Sequence, residues 1–537
     1  MGGHGGTGGG GGGGTGGGGG SKPSKVERLE VSPRVVVVGI GEQEAIEVVA
    51  LDSKGEPVDV SVYFVSADPE VALVDGDGVV TGRAKGQTRI EIEAGGARAV
   101  VAVTVEGRAA VLELPDSLEL PLGSEWTVEV RLQDEDGEDL DPRRLFWSTS
   151  DPDVARVLEG KVVGTGWGQA TLTASLDGLE ASIRVRTLLR FAELGVGEAH
   201  TCGRTVVDEI YCWGSGRFGE LGFPLVEEES IQAPTNPVGE GRRFVALTVG
   251  ARHACALDEA GAVYCWGQND QNQLGENRAA FSDSPVAIED LPPLQAIHAR
   301  GDQTCGLDED GAVHCWGGRA VPAEATEGHE FVAVATGARH VCGLDAEGRA
   351  YCWGANDRGQ LGRPAEELEA SATPLLVEGV PALSHLASGE EHVCGIAQEN
   401  ALLHCWGSNL RGELGRRTDS DYELPGQANS PYPFRFLGLG AELSCAISDG
   451  AGGYCWGAND WAQSGTQLEE PTLRTPSKIV AGNWSFETIW SGKTHVCAIT
   501  DRSEAYCWGQ AEAGRLGVPG CGDADFCSVP QLVIGQR

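Results

Sequence analysis

Basic residues are scarce in this chain of 537 residues. It has 40 Lys and Arg against 79 Asp and Glu, which gives a formal net charge of −39 at pH 7. Binding to a nucleic-acid backbone needs a basic surface, because Lys and Arg make the phosphate contacts. We therefore expect no nucleic acid among the partners and no adsorption to anionic lipid. A basic partner, or simple solubility, fits this charge better.

Long apolar runs are also missing. No stretch approaches the roughly 18 residues needed to span a bilayer, so a transmembrane segment is not expected. The start, MGGHGGTGGG, shows no secretory signal. Residues 1–24 form a glycine-rich segment and predict a disordered leader, since such a composition buries no apolar surface. A leader of this kind suits a surface protein with a lipid or wall anchor placed upstream.

Cysteine, in contrast, is frequent, with 16 residues in the chain. Fourteen of them form seven pairs at a spacing of ten or, once, eleven residues, and a Trp-Gly follows every second cysteine. The pairs are Cys202 and Cys212, Cys255 and Cys265, Cys305 and Cys315, Cys342 and Cys352, Cys394 and Cys405, Cys445 and Cys455, and Cys497 and Cys507. An even number at regular spacing favours an oxidising compartment.

The stretch from Cys255 to Cys265 has the pattern of a β-hairpin. Its turn is Asp258 to Gly261, and folding about that turn places Cys255 opposite Cys265. Directly opposed side chains lie close enough for a disulfide after modest adjustment. A zinc site would need four clustered ligands, and a catalytic thiol would be one cysteine with a histidine partner. We therefore predict a disulfide in each hairpin and an eighth between Cys521 and Cys527, with no metal, cofactor or catalytic residue.

The paired unit recurs about every 50 residues from residue 189 to residue 537. Repeats of this length built from short strands indicate a propeller or a solenoid. Seven repeats suit a closed ring, because propellers have about four to eight blades. We predict an all-β chain that ends in a seven-bladed β-propeller at 189–537.

The repeat itself resembles the regulator-of-chromosome-condensation repeat, whose family fold is a seven-bladed propeller. The resemblance rests on Gly250–His253, Asp258–Gly261, Tyr264–Gly267 and Asn269–Gly275, and it returns from Gly337. Blade three lacks the Gly-Gln-Leu-Gly ending after its Trp-Gly, and blade six has Gln-Ser-Gly there. The best-known members of the family also lack paired cysteines in each repeat.

Two similar β-segments precede the repeats, at 25–106 and 107–188. Apolar and polar residues alternate in strands such as Arg89–Glu93, so one face of each sheet should be buried. The spacing predicts two tandem Ig-like β-sandwiches. A Ser-Asp-Pro stretch followed by the turns at Gly82–Gly86 and Gly164–Gly168 resembles bacterial Ig-like domains of group 2. The resemblance implies spacer or adhesion modules.

An acidic run at 134–139 invites a calcium interpretation. Its counterpart in the first sandwich, Asp52–Gly55, lacks the extra carboxylates, and the pattern of a calcium loop is incomplete. A β-turn with solvated acids fits better, and the sequence leaves calcium binding open.

Histidines occupy the position two residues before the first cysteine in five repeats. They are His200, His253, His340, His392 and His495, whereas Gln303 and Leu443 stand there in the other two. A ring of histidines could hold a metal, but the two replacements favour a hydrogen-bonded structural role. No serine–histidine–acid or paired-carboxylate constellation rises above chance.

Positions that vary between blades can serve a partner. One lies two residues before the Gln/Glu-Leu-Gly ending and reads Phe218, Gln271, Arg358, Arg411 and Trp461, with Ala513 in the last blade. Aromatic and arginine side chains on propeller loops are typical anchors of protein interfaces. We predict Phe218, Gln271, Arg358, Arg411 and Trp461 as partner-binding residues, although varied solvated turn residues would also explain them.

The sequence thus predicts a monomeric, non-enzymatic binding protein that is extracellular or at the cell surface. Its propeller would present a protein- or glycan-binding face, held on the Ig-like domains as spacers. The alternative is an intracellular regulator that promotes nucleotide exchange on a small GTPase, which is the best-known activity in the repeat family.

Counting free thiols on freshly isolated, denatured and unreduced protein separates these two interpretations. We expect none for an exported protein, because all sixteen cysteines would be paired. Sixteen free thiols would contradict the exported interpretation.

Overall fold

A computed structural model describes residues 25–537 except 226–228, 277, 319–325, 327, 481, 483, 519, 522–523 and 537. The leader predicted at 1–24 lies outside the described residues. Strands β1–β45 make up nearly all of the regular structure, with short 3-10 turns at Pro142–Arg144, Val238–Gly241 and Glu512–Gly514. No helix in the described ranges is long and apolar enough to cross a membrane. The chain separates into two compact units, one with most of the sandwich residues and one with the propeller.

The first sandwich contains nine strands in three sheets, ordered β1-β4, β2-β9-β8-β5 and β3-β7-β6. The strands are β1 Arg28–Ser32, β2 Val35–Gly39, β3 Gln43–Ala45, β4 Glu47–Leu51, β5 Val62–Ser66, β6 Ala72–Val74, β7 Val79–Gly82, β8 Gly86–Ala94 and β9 Ala97–Glu106. Ile90 and Ile92 of β8 are buried while Glu91 and Glu93 are exposed. The predicted alternation is confirmed.

The second sandwich repeats this strand order as β10-β13, β11-β18-β17-β14 and β12-β16-β15. Its strands are β10 Ala109–Glu113, β11 Ser117–Pro121, β12 Glu125–Thr127, β13 Arg131–Asp134, β14 Phe146–Thr149, β15 Ala155–Leu158, β16 Lys161–Gly164, β17 Gly168–Leu176 and β18 Leu179–Leu188. Each strand has a counterpart in the first sandwich, so the two segments share one topology.

Seven antiparallel sheets follow, and they are the blades of the propeller. Blade one has β19 Phe191–Val196, β20 His200–Thr205, β21 Ile210–Ser215 and β22 Ser230–Ile231. Blade two has β23 Ala246–Val249, β24 His253–Leu257, β25 Val263–Gln268 and β26 Phe281–Ala287. Blade three has β27 Leu294–Arg300, β28 Gln303–Asp308 and β29 Val313–Trp316, and no fourth strand among its described residues. Blade four has β30 Ala333–Thr336, β31 His340–Leu344, β32 Ala350–Ala355 and β33 Ala370–Leu376. Blade five has β34 Leu383–Ser388, β35 His392–Ala397, β36 Leu403–Ser408 and β37 Tyr422–Gln427. Blade six has β38 Phe434–Leu439, β39 Leu443–Ser448, β40 Gly453–Ala458 and β41 Thr472–Lys478. Blade seven has β42 Phe486–Ser491, β43 His495–Thr500, β44 Ala505–Gln510 and β45 Phe526–Leu532.

The first strands of the seven blades line the centre of a closed ring. Each contacts the first strand of the next blade, and β19 closes the ring against β42 and β43. The backbone N–H of Phe191 donates to the carbonyl of Ser503 at 2.9 Å, and that of Leu189 donates to Gly535 at 2.8 Å. The two ends of the propeller therefore meet at one seam. The predicted all-β class, with two sandwiches before a seven-bladed propeller, is confirmed.

A disulfide joins the second and third strands of every blade. In blade two, Cys255 lies opposite Cys265 and Ala256 lies opposite Tyr264 in the antiparallel register. The Cα atoms of the seven blade pairs are 4.0–4.1 Å apart. All of these cysteines except Cys315 are fully buried. Cys521 is bonded to Cys527.

The glycine of each Trp-Gly pair is required by the backbone. Gly267 has φ of +102°, a left-handed conformation that favours glycine. A Cβ at this position would lie 2.5 Å from the Arg252 carbonyl oxygen. The third strand therefore crosses the second too closely for any side chain.

The tryptophan of a blade binds the loop of the blade before it. The indole N–H of Trp266 donates to the Glu220 carbonyl at 3.0 Å, and that of Trp456 donates to the Glu413 carbonyl at 2.7 Å. Trp406 and Trp508 make the same bond at 2.9 and 3.0 Å. Because these rings are fully buried, the contact joins the core of one blade to a surface loop of its neighbour.

Candidate binding face of the propeller

Seven short loops converge on one mouth of the central channel. Each connects the first strand of a blade to the second and begins with a glycine, as in Gly250, whose N–H donates to the His253 carbonyl at 2.9 Å. The residue after this glycine defines a set that we name the ring positions. They are Glu198, Ala251, Asp302, Ala338, Glu390, Ala441 and Lys493. All seven line a cavity of about 410 Å³, the mouth cavity.

Ion pairs connect the mouth loops of neighbouring blades. Glu198 lies 3.2 Å from Lys493 of blade seven and 3.0 Å from Arg252 of blade two. Between blades four and five, Arg339 and Glu391 are 3.5 Å apart. Because each bridge joins two blades, the charged rim helps to keep the loops in register.

The five predicted partner-binding residues lie in loops with one common backbone. In each case the residue's N–H donates to the side chain of the Glu or Gln two positions later, at 2.7–2.9 Å. The pairs are Phe218 with Glu220, Gln271 with Gln273, Arg358 with Gln360, Arg411 with Glu413, and Trp461 with Gln463. Five blades therefore hold their variable side chain on the same hydrogen-bonded loop backbone.

Four of the five side chains lie beside the mouth loops. Arg252 lies over the ring of Phe218 at 5.3 Å, and Gln271 lines the mouth cavity itself. Arg358 is 3.8 Å from Glu391, and Arg411 is 3.5 Å from Glu442. The structure thus brings Phe218, Gln271, Arg358 and Arg411 to one face. Trp461 occupies the same loop position in blade six and is half-buried.

The two arginines have structural contacts as well. Arg411 also pairs with Asp460 at 2.5 Å and donates to the Pro471 carbonyl at 2.9 Å. Replacing Arg411 would therefore disturb the loops besides removing a surface group. Phe218 and Trp461 are the better probes of a binding role.

The predicted histidine row makes hydrogen bonds between blades. Nε2 of His253 is 2.7 Å from the Thr304 hydroxyl, that of His392 is 2.8 Å from Ser444, and that of His495 is 2.8 Å from Thr201. His340 reaches Ser388 at 3.2 Å. Each partner belongs to the next blade around the ring.

His200 differs from the others. Ala254 stands in blade two where Thr304 or Ser444 would supply the hydroxyl, and Nε2 of His200 is buried with no hydrogen-bond partner within the described part of the chain. Burial lowers the pKa of His200 to about 3 and that of His253 to about 4. The side chains are therefore neutral at physiological pH.

No group of three or more His, Cys, Asp or Glu residues in the described ranges has the arrangement of a metal site. In the acidic run at 134–139, Lys85 lies 2.5 Å from Asp134, 2.8 Å from Glu138 and 3.0 Å from Asp136. Asp134 also accepts the backbone N–H groups of Asp136 and Glu138 at 3.0 Å. The carboxylates of this turn are thus held by a lysine of the first sandwich.

Sequence reasoning missed the ring positions and Arg300. The signal was available in the repeats, since the residue after the loop glycine is charged in four blades and alanine in three. Arg300 precedes such a glycine and is the sole charged residue at that position; the other blades have Val196, Val249, Thr336, Ser388, Leu439 and Ser491.

Family models match two parts of the chain. Residues 208–257, 260–307 and 347–396 match the regulator of chromosome condensation (RCC1) repeat, and residues 244–273 and 331–360 match a second model of that repeat. Residues 25–105 match the bacterial Ig-like domain of group 2.

Several curated proteins are similar to this chain over more than half of its length. The guanine nucleotide exchange factor SRM1 of Saccharomyces cerevisiae is 26% identical over 328 residues, 58% of this chain and 66% of that protein. The ultraviolet-B receptor UVR8 of Arabidopsis thaliana is 26% identical over 63% of this chain and 69% of its own. The human E3 ubiquitin-protein ligase HERC2 is 26% identical over 74% of this chain but only 8% of its own. The chain thus spans just under two thirds of SRM1 and less than a tenth of HERC2.

Solved structures agree on the fold. Yeast RCC1 (Prp20) bound to Kap60 is 25% identical with a TM-score of 0.53, over 60% of this chain and 83% of that one. Prp20p from Saccharomyces cerevisiae is 23% identical with a TM-score of 0.54, over 64% and 87%. The likeness extends to the propeller fold.

The unpartnered His200 generates one prediction. Ala254→Ser should raise the free energy of unfolding by about 1 kcal/mol, because the new hydroxyl can bond to Nε2 of His200. Denaturant unfolding at pH 7.5 with the disulfides intact measures the change. Ala256→Ser is the matched control, since it buries a hydroxyl in the same strand away from the histidine row, and it should be destabilising. Equal effects of the two substitutions would contradict this account.

A second prediction concerns acid. The folded pKa of His253 lies below the unfolded value of about 6.5, so its neutral form stabilises the fold above pH 6.5. This contribution is lost as the pH falls toward about 4. His253→Gln, which copies Gln303 of blade three, should be less stable at pH 7.5 by about 1 kcal/mol. Below about pH 6.5 the free energy of unfolding of the variant should fall less steeply with pH than that of the wild-type protein. The two slopes should differ by up to about 1.4 kcal/mol per pH unit. Unfolding curves at pH 7.5, 6 and 5 test this, and parallel pH dependences would overturn it.

Proposed function

Since the chain carries RCC1 repeats after a group 2 bacterial Ig-like domain, we propose that it is an exported, non-enzymatic binding protein. The propeller binds a protein partner on the face that surrounds the mouth cavity, and the sandwiches serve as spacers. The observation that carries this proposal is the grouping of blade-variable side chains beside one charged mouth. Phe218 and Trp461 are the proposed anchors.

The backbone of the face supports a binding role. Five loops share the same backbone hydrogen bond to a Glu or Gln side chain. In several of these loops a carbonyl also accepts the indole N–H of a buried tryptophan in the next blade. A preorganised surface loses little conformational entropy on association, which favours affinity. Variation of side chains on a constant frame is how a repeat protein changes its partner without changing its fold.

The buried disulfides support the exported location. Hairpin disulfides in seven blades would be reduced in a cytosol. A chain with net charge −39 also repels anionic surfaces and attracts basic partners. We therefore propose an extracellular or cell-surface monomer.

A second candidate function follows from the similarity to SRM1, which is named as a guanine nucleotide exchange factor. An exchange factor would accelerate release of labelled GDP from a small GTPase. The disulfide content argues against this function, because hairpin disulfides would be reduced in the cytosol where such GTPases act. The test is the rate at which a small GTPase releases labelled GDP with and without the oxidised full-length chain. Accelerated release would favour the exchange function, and an unchanged rate would favour the binding function.

The face is tested by capture with immobilised full-length protein. Wild type and the double variant Phe218→Ala/Trp461→Ala are incubated with culture supernatant and surface extract of the producing organism, and bound proteins are compared by quantitative mass spectrometry. We expect at least one protein to be recovered by wild type and to drop about tenfold or more with the variant, since aromatic anchors dominate interfaces.

Val245→Ala with Val332→Ala is the matched control. Both valines are exposed and precede the first strands of their blades, at the end away from the mouth loops. The control should recover the partner as wild type does. Equal recovery from the face variant and the control, or no protein recovered by any form, would refute the proposed face.

A further inference from the structure

Two opposite charges that border the mouth cavity, Glu390 and Arg300, attract each other through space but form no ion pair within 4.0 Å among the described residues. Among the ring positions, Glu198 and Lys493 pair with each other, and Asp302 accepts the Gln273 side-chain N–H at 3.1 Å. Glu390 also lines the cavity, but no cation lies within 4.0 Å of its carboxylate in the described residues. Its backbone carbonyl accepts the Ala338 N–H at 3.0 Å, which fixes the loop. Burial raises the pKa of the Glu390 carboxyl.

Arg300 is the second such group. Its side chain starts at the end of β27 in blade three and reaches across the channel to blades six and seven. There Nη1 donates to the Ser491 carbonyl at 3.2 Å and Nη2 donates to the Leu439 carbonyl. Nε has no solvent contact and no acceptor, and no carboxylate lies within 4.0 Å of the guanidinium among the described residues. Burial lowers the pKa of Arg300 to about 10.

Arg300 also lies between two cavities. It borders the mouth cavity on one side and a second cavity of about 270 Å³ on the other, which is lined by apolar residues such as Phe436 and Trp490. The mouth cavity therefore has both Arg300 and Glu390 among its lining residues, and Arg300 separates it from the apolar cavity.

A charge taken out of water without a partner is costly. Here two opposite charges border the same cavity without forming an ion pair with each other. A ligand that carries both an ammonium and a carboxylate group would give Glu390 a cation and Arg300 an anion in direct contact. A purely cationic ligand would leave no anion in contact with Arg300, and a purely anionic ligand would leave no cation in contact with Glu390.

The size of the cavity agrees with a small molecule. About 410 Å³ lies within the range of roughly 300–1,000 Å³ for ligand pockets. Glycines 197, 250, 301, 318 and 492 form much of the wall, so backbone rather than long side chains borders the space.

We propose that the mouth cavity binds a small zwitterion of the amino-acid class, with Glu390 accepting its ammonium group and Arg300 donating to its carboxylate. This site goes beyond the protein-binding face and does not depend on it. A ligand bound here lies at the centre of the ring positions and beside Gln271, within the face that a protein partner would cover.

Isothermal titration calorimetry on the full-length oxidised protein tests the site. Each of the twenty protein amino acids is titrated at pH 7.5 and low salt. The amino acid that binds is then compared with its N-acetyl form, which lacks the ammonium, and with its carboxamide, which lacks the carboxylate. We expect one-to-one binding that weakens about tenfold or more with either blocked form, because each loses a charge-assisted hydrogen bond.

Three variants complete the experiment. Glu390→Gln is nearly isosteric and should weaken binding of the amino acid about tenfold or more while binding of the N-acetyl form stays unchanged. Arg300→Lys keeps the charge but loses the planar fork, and it should weaken binding too. Glu391→Gln is the control, since this neighbouring carboxylate pairs with Arg339 at the rim instead of bordering the cavity, and it should bind as wild type does.

The proposal is overturned if no amino acid binds the wild-type protein at a concentration of about 10 mM. A dissociation constant of about 10 mM corresponds to a binding free energy of about 2.7 kcal/mol. It is also overturned if blocking either end has no effect, or if Glu390→Gln and Glu391→Gln behave alike. Capture of a protein partner is measured separately on the same variants, so failure of the amino-acid site and failure of the binding face give different results.

Discussion

The contact between a buried tryptophan and the loop of the preceding blade is the constraint on which the propeller face depends. Trp266 holds the loop that contains Glu220, and Glu220 in turn holds the N–H of Phe218. The core of one blade thereby fixes a surface residue of another. The same sequence of bonds runs from Trp456 through Glu413 to Arg411. A residue can therefore vary at the tip of such a loop without loosening it, because the loop is held by its neighbours on both sides.

The histidine row and the mouth loops extend this coupling toward the channel. A histidine in one blade bonds to a hydroxyl in the next, and ion pairs such as Glu198 with Arg252 bridge the loops above. These bonds run around the ring rather than along one blade. The proposed binding face is thus a property of the closed ring, and an isolated blade would not possess it.

Local features were predictable from the sequence. The opposition of Cys255 and Cys265 follows from the turn between them, and the burial of Ile90 follows from strand alternation. The count of seven cysteine-paired repeats predicted the blade number. In contrast, the partner of His253 is Thr304, 51 residues away, and the partner of Asp134 is Lys85 in the other sandwich. Such partners depend on how blades and sandwiches are placed, and residue spacing contains no information about that placement. Arg300 was missed for the same reason, since its meaning depends on the strands that face it across the channel.

The disulfides of the blades have a consequence for how the chain matures. Every blade cysteine is bonded to the cysteine nearest to it along the chain, and the bond closes within one hairpin. A β-hairpin forms in microseconds, far faster than a disulfide forms or rearranges. Each hairpin can therefore bring its two cysteines opposite each other before the slower oxidation step takes place. Correct pairing of the blade cysteines thus depends on local hairpin formation within each blade and not on contacts between blades.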